Sequence, residues 1–465
     1  MAHNKVNRTF SYINATLFTA ALTVFGILFF TMPKLGVSEY EKRPLAQIPT
    51  FSWTKFFDGK YLDSLDKYYA DNFPMRENFV ALNFALKEKR GIRSEEVGFI
   101  KAVAIDKQVP IGVDTTVGKT DSTASDSIVD VGPADTEMGG GLLIYNQHCM
   151  EVFGGTRAMA NSYAAAVNQY ATALPSLKIY CVCVPSSIAF NCNEEYRKNS
   201  IAEKTNIEQI YSSLNPSIIA VNAFDEIAAH KNEYIYFRTD HHWTGLGAYY
   251  AYVATCKRAG MTPMPLSSMT HKVKPNYLGS LYYITHDSRL KDFPDSVEYW
   301  MVPGRHTTYR YGESNTKAFA GTLYAEGAKG GNSYGVFLGG DNPLMRIDNP
   351  DISNGRRICI VKNSYGNPYS TYFTANFERV YVIDYRYYKG SILDLIKDEG
   401  ITDLVFINGI FSANTSWHIK MMTKIMKAQV PGKPKEPKSD SASSPADTAK
   451  HINPDSLKKK PAKKN

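Results

Sequence analysis

Short apolar runs alternate with amphipathic helical patterns between residues 142 and 427, and this alternation constrains the fold more than any other feature. The runs are LLIY, KIYCVCVP, SIIAV, YIYF, RICIV, RVYVI and DLVFI, and a helical pattern follows most of them. Apolar strands that alternate with amphipathic helices favour a parallel sheet covered by helices on both faces. The sequence therefore predicts an α/β fold with a mostly parallel sheet.

Two helices within this region are well marked. The first is predicted from Arg157 to Leu174, between the first two apolar runs. The second is predicted to begin after Ser391, which would cap it, with Asp394 completing a capping box. Its predicted buried stripe consists of Ile392, Leu395 and Ile396.

The chain has 465 residues, of which 43% are hydrophobic and 21% are charged, so it can bury a large core. Its net charge of +8 is unevenly distributed. Residues 431–465 hold nine lysines and four acidic residues, whereas residues 113–138 hold six acidic residues and one lysine. The excess charge therefore lies largely in a Lys, Pro and Ser-rich tail that we expect to be disordered. This distribution predicts no nucleic-acid partner. We expect the tail to be a solubilising extension, and the alternative is weak contact with an acidic polymer or surface.

Residues 12–32 form an uncharged apolar run of 21 residues, which is long enough to span a bilayer as one helix. A secretory signal peptide is the alternative, but the run ends in FTMPKLG, which is a poor cleavage site. We therefore predict an uncleaved membrane anchor. Basic residues flank the run on both sides, so the charge count leaves its orientation open.

An amphipathic helix is predicted to follow the anchor and to end near Asp71. Its apolar positions at helical spacing are Phe57, Tyr61, Leu65 and Tyr68. A second helical pattern follows Pro74. We expect both helices to cover the globular body rather than to bind a membrane surface.

Two of the predicted strands end in residues suited to nucleophilic catalysis. Asp240, His241 and His242 follow YIYF, and Ser364 lies on the turn after RICIV. Ligands of open α/β sheets bind at the carboxyl ends of strands. A serine nucleophile needs a base, and an imidazole base needs an orienting acid. An extended backbone would place Asp240 and His242 on one side and His241 on the other. The pattern thus predicts Ser364 as nucleophile, His242 as base and Asp240 as acid, with Trp243 as a wall of the site.

Two other interpretations of these residues remain open at this point. Asp240, His241 and His242 are all metal-ligand types. Adjacent histidines point apart, however, and no second carboxylate-rich motif follows a neighbouring strand, so no metal is predicted. Alternatively, Asp240 and His242 cap the helix that begins near Thr244, and Ser364 caps the helix after it. The six cysteines show neither metal nor disulfide spacing.

Several motifs in a fixed order resemble the bacterial DHHW protein family. They are EYEKRPLAQIP, DNFPMR, TDHHWTGLGAYYAY, VKNSYGNP, VIDYRYYKGS and EGITDLVFI. The family is similar to the AlgJ/AlgX alginate O-acetylation proteins of the SGNH-hydrolase-like clan. The resemblance extends from residue 39 to about residue 427, apart from the acidic segment.

The resemblance implies a flavodoxin-like, SGNH-hydrolase-like three-layer sandwich preceded by one transmembrane helix. It implies the same roles for Asp240, His242 and Ser364, in a permuted order relative to ordinary SGNH esterases. Asn363 is a departure, because family members commonly carry Asp immediately before the serine. Asn363 and Tyr365 are expected to support the serine turn.

The remaining site residues are expectations that follow the same resemblance. The backbone N–H of Ser364 is expected to bind the oxyanion together with Gly340 or Asn342 from the motif LGGDNP. Contacts to a sugar substrate are expected from Trp243, Arg386 and Tyr388.

The function implied is that of a cell-envelope O-acetyltransferase. It would move an acetyl group through an acyl-serine intermediate to a hydroxyl of an exported polysaccharide, without a cofactor. A membrane-bound acyltransferase of the MBOAT type would supply the acetyl group. The alternatives are an SGNH-type carbohydrate acetylesterase and a non-catalytic polysaccharide-binding envelope scaffold.

The implied topology is a single-pass membrane protein with its globular part on the periplasmic or extracellular side. Four parts are predicted along the chain. They are a cytoplasmic tip and transmembrane anchor at 1–34, juxtamembrane helices at 35–95, an SGNH-like α/β domain at 96–430 with a flexible acidic insertion at 113–141, and a disordered basic tail at 431–465.

Overall fold

The computed structural model of the protein describes most of the α/β region and part of the amino-terminal segment. The described residues are 2–34, 37–38, 43–76, 78–79, 82–83, 86, 97–100, 141–312 and 317–427. The predicted tail at 431–465 and the predicted insertion, except Gly141, lie outside these residues, as does most of the helical pattern after Pro74.

The described elements alternate along the chain much as the sequence predicts. The strands are β1 Val37–Ser38, β2 Arg43–Pro44, β3 Val97–Ile100, β4 Leu142–Tyr145, β5 His148–Glu151, β6 Lys178–Val184, β7 Ile218–Ala220, β8 Thr270–Tyr277, β9 Asp295–Met301, β10 Thr307–Tyr311, β11 Ala318–Ala320, β12 Leu344–Asp348, β13 Arg357–Lys362, β14 Arg379–Asp384 and β15 Asp403–Gly409. The α-helices are Ala2–Thr31, Trp53–Phe57, Lys60–Asp71, Arg157–Ala173, Ile188–Asn191, Glu194–Arg197, Glu203–Ser212, Ala223–Ala228, Gly245–Ala259, Ser280–Thr285, Ser288–Lys291, Gly366–Tyr372, Ile392–Glu399, Ile410–Ala413 and Ser416–Lys427.

The main sheet has eight strands in the order β11-β10-β12-β14-β13-β15-β6-β7. Strands β14, β13, β15, β6 and β7 pair in parallel, whereas β12, β10 and β11 extend the sheet through antiparallel pairs. The prediction of a mostly parallel α/β sheet is therefore confirmed. The antiparallel extension includes the polar strand β10 and the three-residue strand β11, and the apolar pattern did not reveal it.

Two predicted strands lie elsewhere. LLIY is β4, which pairs with β3 and β5 in a separate three-stranded sheet. YIYF was wrongly predicted as a strand of the main sheet. Its backbone contributes only an isolated antiparallel bridge between Tyr236 and Trp243, because the chain turns back on itself within a few residues.

Alternate residues of the central strands enter two separate cores, one on each face of the sheet. On one face, Ile360 and Ile407 join a core that includes buried residues of Gly245–Ala259 and Gly366–Tyr372. On the other face, Cys359, Val361 and Phe406 join a second core. The helices that contribute to this second core include Arg157–Ala173, Glu203–Ser212, Ile392–Glu399 and Ser416–Lys427. All six cysteines are buried and free.

The two helices marked in the sequence begin where they were predicted, and the first ends at Ala173, one residue before the predicted end. The side chain of Thr156 caps Arg157–Ala173 by accepting a hydrogen bond from the Met159 N–H at 3.2 Å. Ser391 caps Ile392–Glu399 through the Asp394 N–H at 3.2 Å. The predicted stripe of Ile392, Leu395 and Ile396 is buried.

The amino-terminal helix Ala2–Thr31 contains a 20-residue apolar stretch, Tyr12–Thr31, with a mean hydropathy of 2.0. This stretch is long and apolar enough to cross a membrane, and a signal sequence has the same property.

The amphipathic helix predicted after the anchor is Lys60–Asp71, preceded by the short helix Trp53–Phe57. None of the residues in these two helices is buried. In the part that the structure describes, these two helices therefore give no support to the expectation that they cover the globular body.

Glu203 is a buried acid at the start of the helix Glu203–Ser212, beyond the carboxyl end of β6. Its two carboxylate oxygens accept hydrogen bonds from the Ser186 N–H at 2.7 Å and from the Ser186 hydroxyl at 2.5 Å. Burial raises the pKa of Glu203 to about 7, although both Ser186 hydrogen bonds act in the opposite direction. Folding therefore favours the protonated acid.

This burial predicts a pH dependence of stability. Between about pH 4.5 and pH 7 the folded state holds a proton that the unfolded state releases, so the free energy of unfolding falls as pH rises through this window. Glu203→Gln is uncharged at every pH and can keep both contacts to Ser186. We expect the free energy of unfolding of the variant, relative to that of the wild type, to rise by roughly 3 kcal/mol as the pH rises from 4.5 to 8.

Urea unfolding of the full chain in detergent, at several pH values, measures this difference. The exposed Glu195→Gln is the control and should follow the wild type. Parallel pH profiles for Glu203→Gln and the wild type would show that burial of Glu203 does not affect its protonation.

Candidate active site

Ser364 lies in the turn between β13, an internal strand of the sheet, and the helix Gly366–Tyr372. Hydrogen bonds from the Gly366 N–H to the Asn363 carbonyl at 2.9 Å and from the Asn367 N–H to the Ser364 carbonyl at 3.1 Å tighten the turn. A Cβ atom at Gly366 would lie 2.4 Å from the Cβ of Lys362. Glycine is therefore required because the turn folds back onto β13.

Asp240 and His242 lie in a compact loop that the isolated bridge between Tyr236 and Trp243 closes. The Phe237 N–H donates to the His242 carbonyl at 3.2 Å, so the backbone between them is looped and not extended. The prediction that His241 points away is therefore wrong. The rings of His241 and His242 lie with their centroids 3.8 Å apart.

A continuous chain of short hydrogen bonds joins the three predicted catalytic side chains. His242 Nε2 lies 2.7 Å from Ser364 Oγ, and His242 Nδ1 lies 2.6 Å from Asp240 Oδ1. An ionised carboxylate only accepts hydrogen bonds, so Nδ1 of His242 carries the proton and Nε2 is left to accept from the serine hydroxyl. All three residues are buried, and only 5% of the Ser364 surface is exposed.

Four hydrogen bonds fix the Asp240 carboxylate. Oδ1 accepts from the backbone N–H of His242 at 3.0 Å in addition to its ring. Oδ2 accepts from the Tyr277 hydroxyl at 2.7 Å and from the Ser280 N–H at 2.8 Å. Burial alone would raise the pKa of Asp240, but its interactions with His242, His241 and the Ser280 N–H outweigh burial and hold this pKa well below its usual range. The acid therefore stays ionised.

A second buried acid, Asp295 at the start of β9, holds the loop that carries Asp240. Its carboxylate accepts from the N–H groups of Arg238 and Thr239, at 2.9 and 2.7 Å, and from the Thr239 hydroxyl at 2.6 Å. The Tyr234 hydroxyl donates to it at 2.5 Å. No motif marked Asp295 or Tyr277 in the sequence, because both act through the tertiary contacts of the β8–β9 hairpin.

Tyr334 covers the other side of the histidine base. Its ring is stacked on the His242 ring with centroids 4.2 Å apart and planes inclined by 14°. Its hydroxyl donates to the Ser364 carbonyl at 3.0 Å. Tyr334 thus orients the base and the serine turn together, and its position in a glycine-rich segment gave no signal of this role.

The predicted support residues Tyr365 and Asn363 lie beside the serine turn. The Tyr365 hydroxyl donates to the His241 carbonyl, which ties the serine turn to the Asp240 loop. The Asn363 side chain is buried and donates to the Ser412 hydroxyl at 3.0 Å. In this arrangement Asn363 contacts the segment after β15.

The predicted oxyanion donors outside the turn are already engaged within their own loop. The Gly340 N–H donates to the Phe337 carbonyl at 3.0 Å. The Asn342 amide donates to the carbonyls of Leu338 and Gly340, at 3.1 Å each. These donors therefore hold the loop in shape, and the expected role of Gly340 and Asn342 in binding the oxyanion stays a prediction. Within the described residues, the Ser364 N–H makes no hydrogen bond and is the donor that remains.

The side chains of the three residues expected to contact a sugar are buried in this structure, and their role in sugar binding stays a prediction. Trp243 is a core residue whose Nε1–H donates to the Tyr365 carbonyl at 2.9 Å. Tyr388 packs in the second core. Arg386 pairs with Asp384 and Asp341, at 2.8 and 2.7 Å.

The ion pairs of Arg386 belong to a buried charge cluster behind the serine turn. Lys362, the last residue of β13, lies 2.7 Å from Asp341 and 2.8 Å from Asp384. The Asn367 amide also donates to Asp341 at 2.9 Å. Burial opposes ionisation of Asp341, but Arg386 and Lys362 hold its pKa far below the usual range. The cluster fixes the 338–342 loop against the helix that follows Ser364.

The capping interpretation of the three site residues is wrong. Thr244 caps Gly245–Ala259 itself, because its hydroxyl accepts from the Gly247 N–H at 3.3 Å. Tyr365 precedes the helix Gly366–Tyr372, and no side chain caps that helix.

Asp240, His241 and His242 are the residues here that could hold a metal ion, since their ligand atoms lie within 4.8 Å of one another. His241 Nδ1 lies 2.7 Å from the Ser280 hydroxyl. Both nitrogens of His242 and both oxygens of Asp240 have hydrogen-bond partners. An ion would have to displace these contacts, so the donor set fits the hydrogen-bonded arrangement better.

The fold and site together define an α/β protein with a Ser-His-Asp arrangement at the carboxyl end of a parallel strand. The family model described as DHHW protein matches residues 41–114 and 111–383, so the chain belongs to the DHHW family. A DHHW family protein from Eubacterium siraeum DSM 15702 is 31% identical with a TM-score of 0.56, and the match covers 63% of this chain and 96% of that one. The resemblance noted in the sequence is confirmed.

Two more distant solved structures also match this chain. Bacillus cereus PatB1 with a sulfonyl adduct is 15% identical with a TM-score of 0.51, over 62% of this chain and all of that one. The O-acetyltransferase domain of Pseudomonas putida AlgJ is 12% identical with a TM-score of 0.35, and the match covers 60% of this chain and 96% of that one. The PatB1 match shows that the two proteins share a fold. No curated protein matches the sequence.

The packing around Asp240 predicts a sensitive position at Gly279. A Cβ atom there would lie 2.3 Å from the Asp240 Cβ and 2.4 Å from its Oδ2. Gly279→Ala should therefore displace the carboxylate from His242 and lower any His242-dependent acyl transfer of the folded protein by roughly 100-fold. The measurement is the acylation rate of Ser364 with an activated ester.

Gly154→Ala is the matched control, because a Cβ atom at Gly154 meets no atom within 4 Å. Its rate should equal that of the wild type. An unchanged rate in Gly279→Ala would mean that the position of Asp240 does not control the base.

Proposed function

We propose that this chain is a cell-envelope O-acetyltransferase that moves an acetyl group through an acyl-serine intermediate to a hydroxyl of an exported polysaccharide. One observation carries the proposal: His242 lies within hydrogen-bond distance of both Ser364 Oγ and the Asp240 carboxylate. This is the geometry that serine-dependent acyl transfer requires.

In the first half-reaction, Ser364 Oγ attacks the carbonyl carbon of the acetyl donor. The hydroxyl proton passes to His242 Nε2, and a tetrahedral oxyanion forms. The bond to the leaving group then breaks, and His242 returns its proton to that group. The product is an acetyl ester on Ser364, with a neutral His242 ready for a second cycle.

In the second half-reaction, a sugar hydroxyl takes the place of the leaving group. His242 Nε2 accepts the hydroxyl proton while the sugar oxygen attacks the ester carbon. The bond to Ser364 Oγ breaks, and the same proton returns to the serine. The net result is an acetylated sugar and regenerated enzyme.

The electrostatics of the site support both steps. Asp240 stays ionised because of its low pKa, so it stabilises the imidazolium that forms at His242 in each half-reaction. The Ser364 N–H can donate to the oxyanion, a contribution worth roughly 3 kcal/mol. The small exposed fraction of Ser364 favours a small acyl group such as acetyl.

The proposed setting follows from the amino-terminal apolar helix and the family resemblance. Tyr12–Thr31 would cross the membrane once, leaving a flavodoxin-like domain on the periplasmic or extracellular side. Because acetyl-CoA is cytoplasmic, a membrane-bound acyltransferase of the MBOAT type would deliver the acetyl group across the bilayer.

Acylation of the purified full chain in detergent tests the nucleophile. After incubation with an activated acetyl ester, we expect one acetyl group on Ser364 by peptide mass spectrometry, and none in Ser364→Ala. Because Bacillus cereus PatB1 is described with a sulfonyl adduct, a sulfonyl fluoride is a second probe of the same residue. The exposed Ser162→Ala is the control and should be labelled like the wild type. Equal labelling of Ser364→Ala would refute the proposal.

The fate of the acetyl group tests the reaction type. We expect added oligosaccharides to accelerate loss of acetyl from Ser364 and to appear as acetylated products. Water alone should discharge the intermediate slowly, because the site is largely buried. If only free acetate forms at every oligosaccharide concentration, the chain is an esterase.

A further inference from the structure

An exposed aromatic surface precedes the α/β domain and has no role in the chemistry proposed above. Its members pack on one another and are Phe51, Trp53, Phe56, Phe57 and Tyr61, which we call the aromatic cluster. The exposed fraction of Trp53 is 66%, and that of Phe57 is 79%. Large aromatic side chains exposed together mark an interaction surface.

The helix Lys60–Asp71 continues this surface. Its apolar residues fall on an arc of roughly 120° of the helical circumference, given about 3.6 residues per turn. They are Tyr61, Leu62, Leu65, Tyr68 and Tyr69, and none of them is buried. Asp63, Asp66 and Lys67 lie on the opposite side of the helix.

The carboxyl end of this helix packs directly on the last turns of the amino-terminal apolar helix. The rings of Tyr69 and Phe29 lie with centroids 4.9 Å apart, and those of Phe73 and Phe25 are stacked at 5.3 Å. Phe25 lies six residues before Thr31, or about 9 Å along the helix axis. The segment after Asp71 thus packs alongside the end of the apolar helix.

Polar contacts reinforce this junction. Lys34 folds back so that its Nζ lies 3.6 Å from the centre of the Phe29 ring and 3.5 Å from the Asn72 carbonyl. The Asn72 amide donates to the Ala46 carbonyl at 2.9 Å, and the Ala46 N–H donates to Asp71 at 2.8 Å. Lys34 therefore links the two helices, while the bonds to Ala46 hold the end of the amphipathic helix against the segment that follows the apolar helix.

We propose that the aromatic cluster and the apolar face of Lys60–Asp71 lie in the interface of the lipid bilayer that the helix Tyr12–Thr31 crosses. This inference rests on the membrane span of the proposed function. Aromatic residues are enriched at membrane–water interfaces, and an amphipathic helix buries its apolar side at the boundary of the acyl chains. The domain is then anchored by a span and by an adjoining interfacial segment.

The charged residues of the helix Lys60–Asp71 indicate which property of the bilayer the segment recognises. Lys60–Asp71 carries three aspartates and two lysines, so attraction to anionic lipid does not drive the contact. Insertion of the apolar side chains into the bilayer drives the contact instead. The segment should therefore enter a zwitterionic phosphatidylcholine bilayer, and high salt should not release it.

Fluorescence quenching by lipid tests the proposal on the full chain reconstituted in phosphatidylcholine vesicles. The chain has four tryptophans, of which Trp53 belongs to the aromatic cluster and Trp300 lies on β9. Phosphatidylcholine brominated on its acyl chains should quench part of the wild-type emission. Trp53→Phe should abolish most of this lipid-dependent quenching, whereas the matched control Trp300→Phe should retain it. Phe57→Asp should weaken the quenching of Trp53.

The outcomes separate this inference from the proposed span. A carbonate wash reports whether the chain remains inserted. If it remains and Trp53→Phe is quenched as strongly as the wild type, the interfacial contact is refuted while the span stands. If Trp53 becomes shielded from both lipid and aqueous iodide as protein concentration rises, the surface binds a second copy and the proposal fails. Release by carbonate would refute the span and the contact together.

Discussion

The site depends on the hydrogen bonds that hold the buried Asp240 carboxylate. Four donors converge on it, from the ring and backbone of His242, the Tyr277 hydroxyl and the Ser280 N–H. The resulting low pKa keeps the acid charged although it is buried, and the charge selects the histidine tautomer that can accept the Ser364 proton. Without these donors, burial would favour a protonated acid that could not orient the imidazole in this way.

Much of the sheet and the composition of the site could be predicted from the sequence. Strands β6, β13, β14 and β15 are buried on both faces, so they appear as unbroken apolar runs. Ser391 and Asp394 marked a helix start through local chemistry alone. The order Asp240, His242, Ser364 was also visible, because the residue types and the spacing of the first two suit one reaction.

The rest could not be predicted, because it depends on contacts between segments distant in sequence. The loop at Asp240 is bent by Asp295, more than 50 residues later, so an extended backbone was the wrong local model. Arg386 is a residue type suited to clamping a ligand, yet it is paired with the buried Asp384 and the partly buried Asp341. Trp243 had the sequence position of a site wall, but packing against the serine turn removes it from the surface.

The nucleophile and its base are supported by different parts of the molecule. Ser364 follows a strand of the main sheet, whereas Asp240 is held by Tyr277 and Asp295 from the separate β8–β9 hairpin. A relative that retains the sheet and the serine but alters the hairpin would thus keep the fold and lose proton transfer. The presence of the serine alone is therefore a poor guide to catalytic competence among relatives, and the two hairpin residues have to be inspected with it.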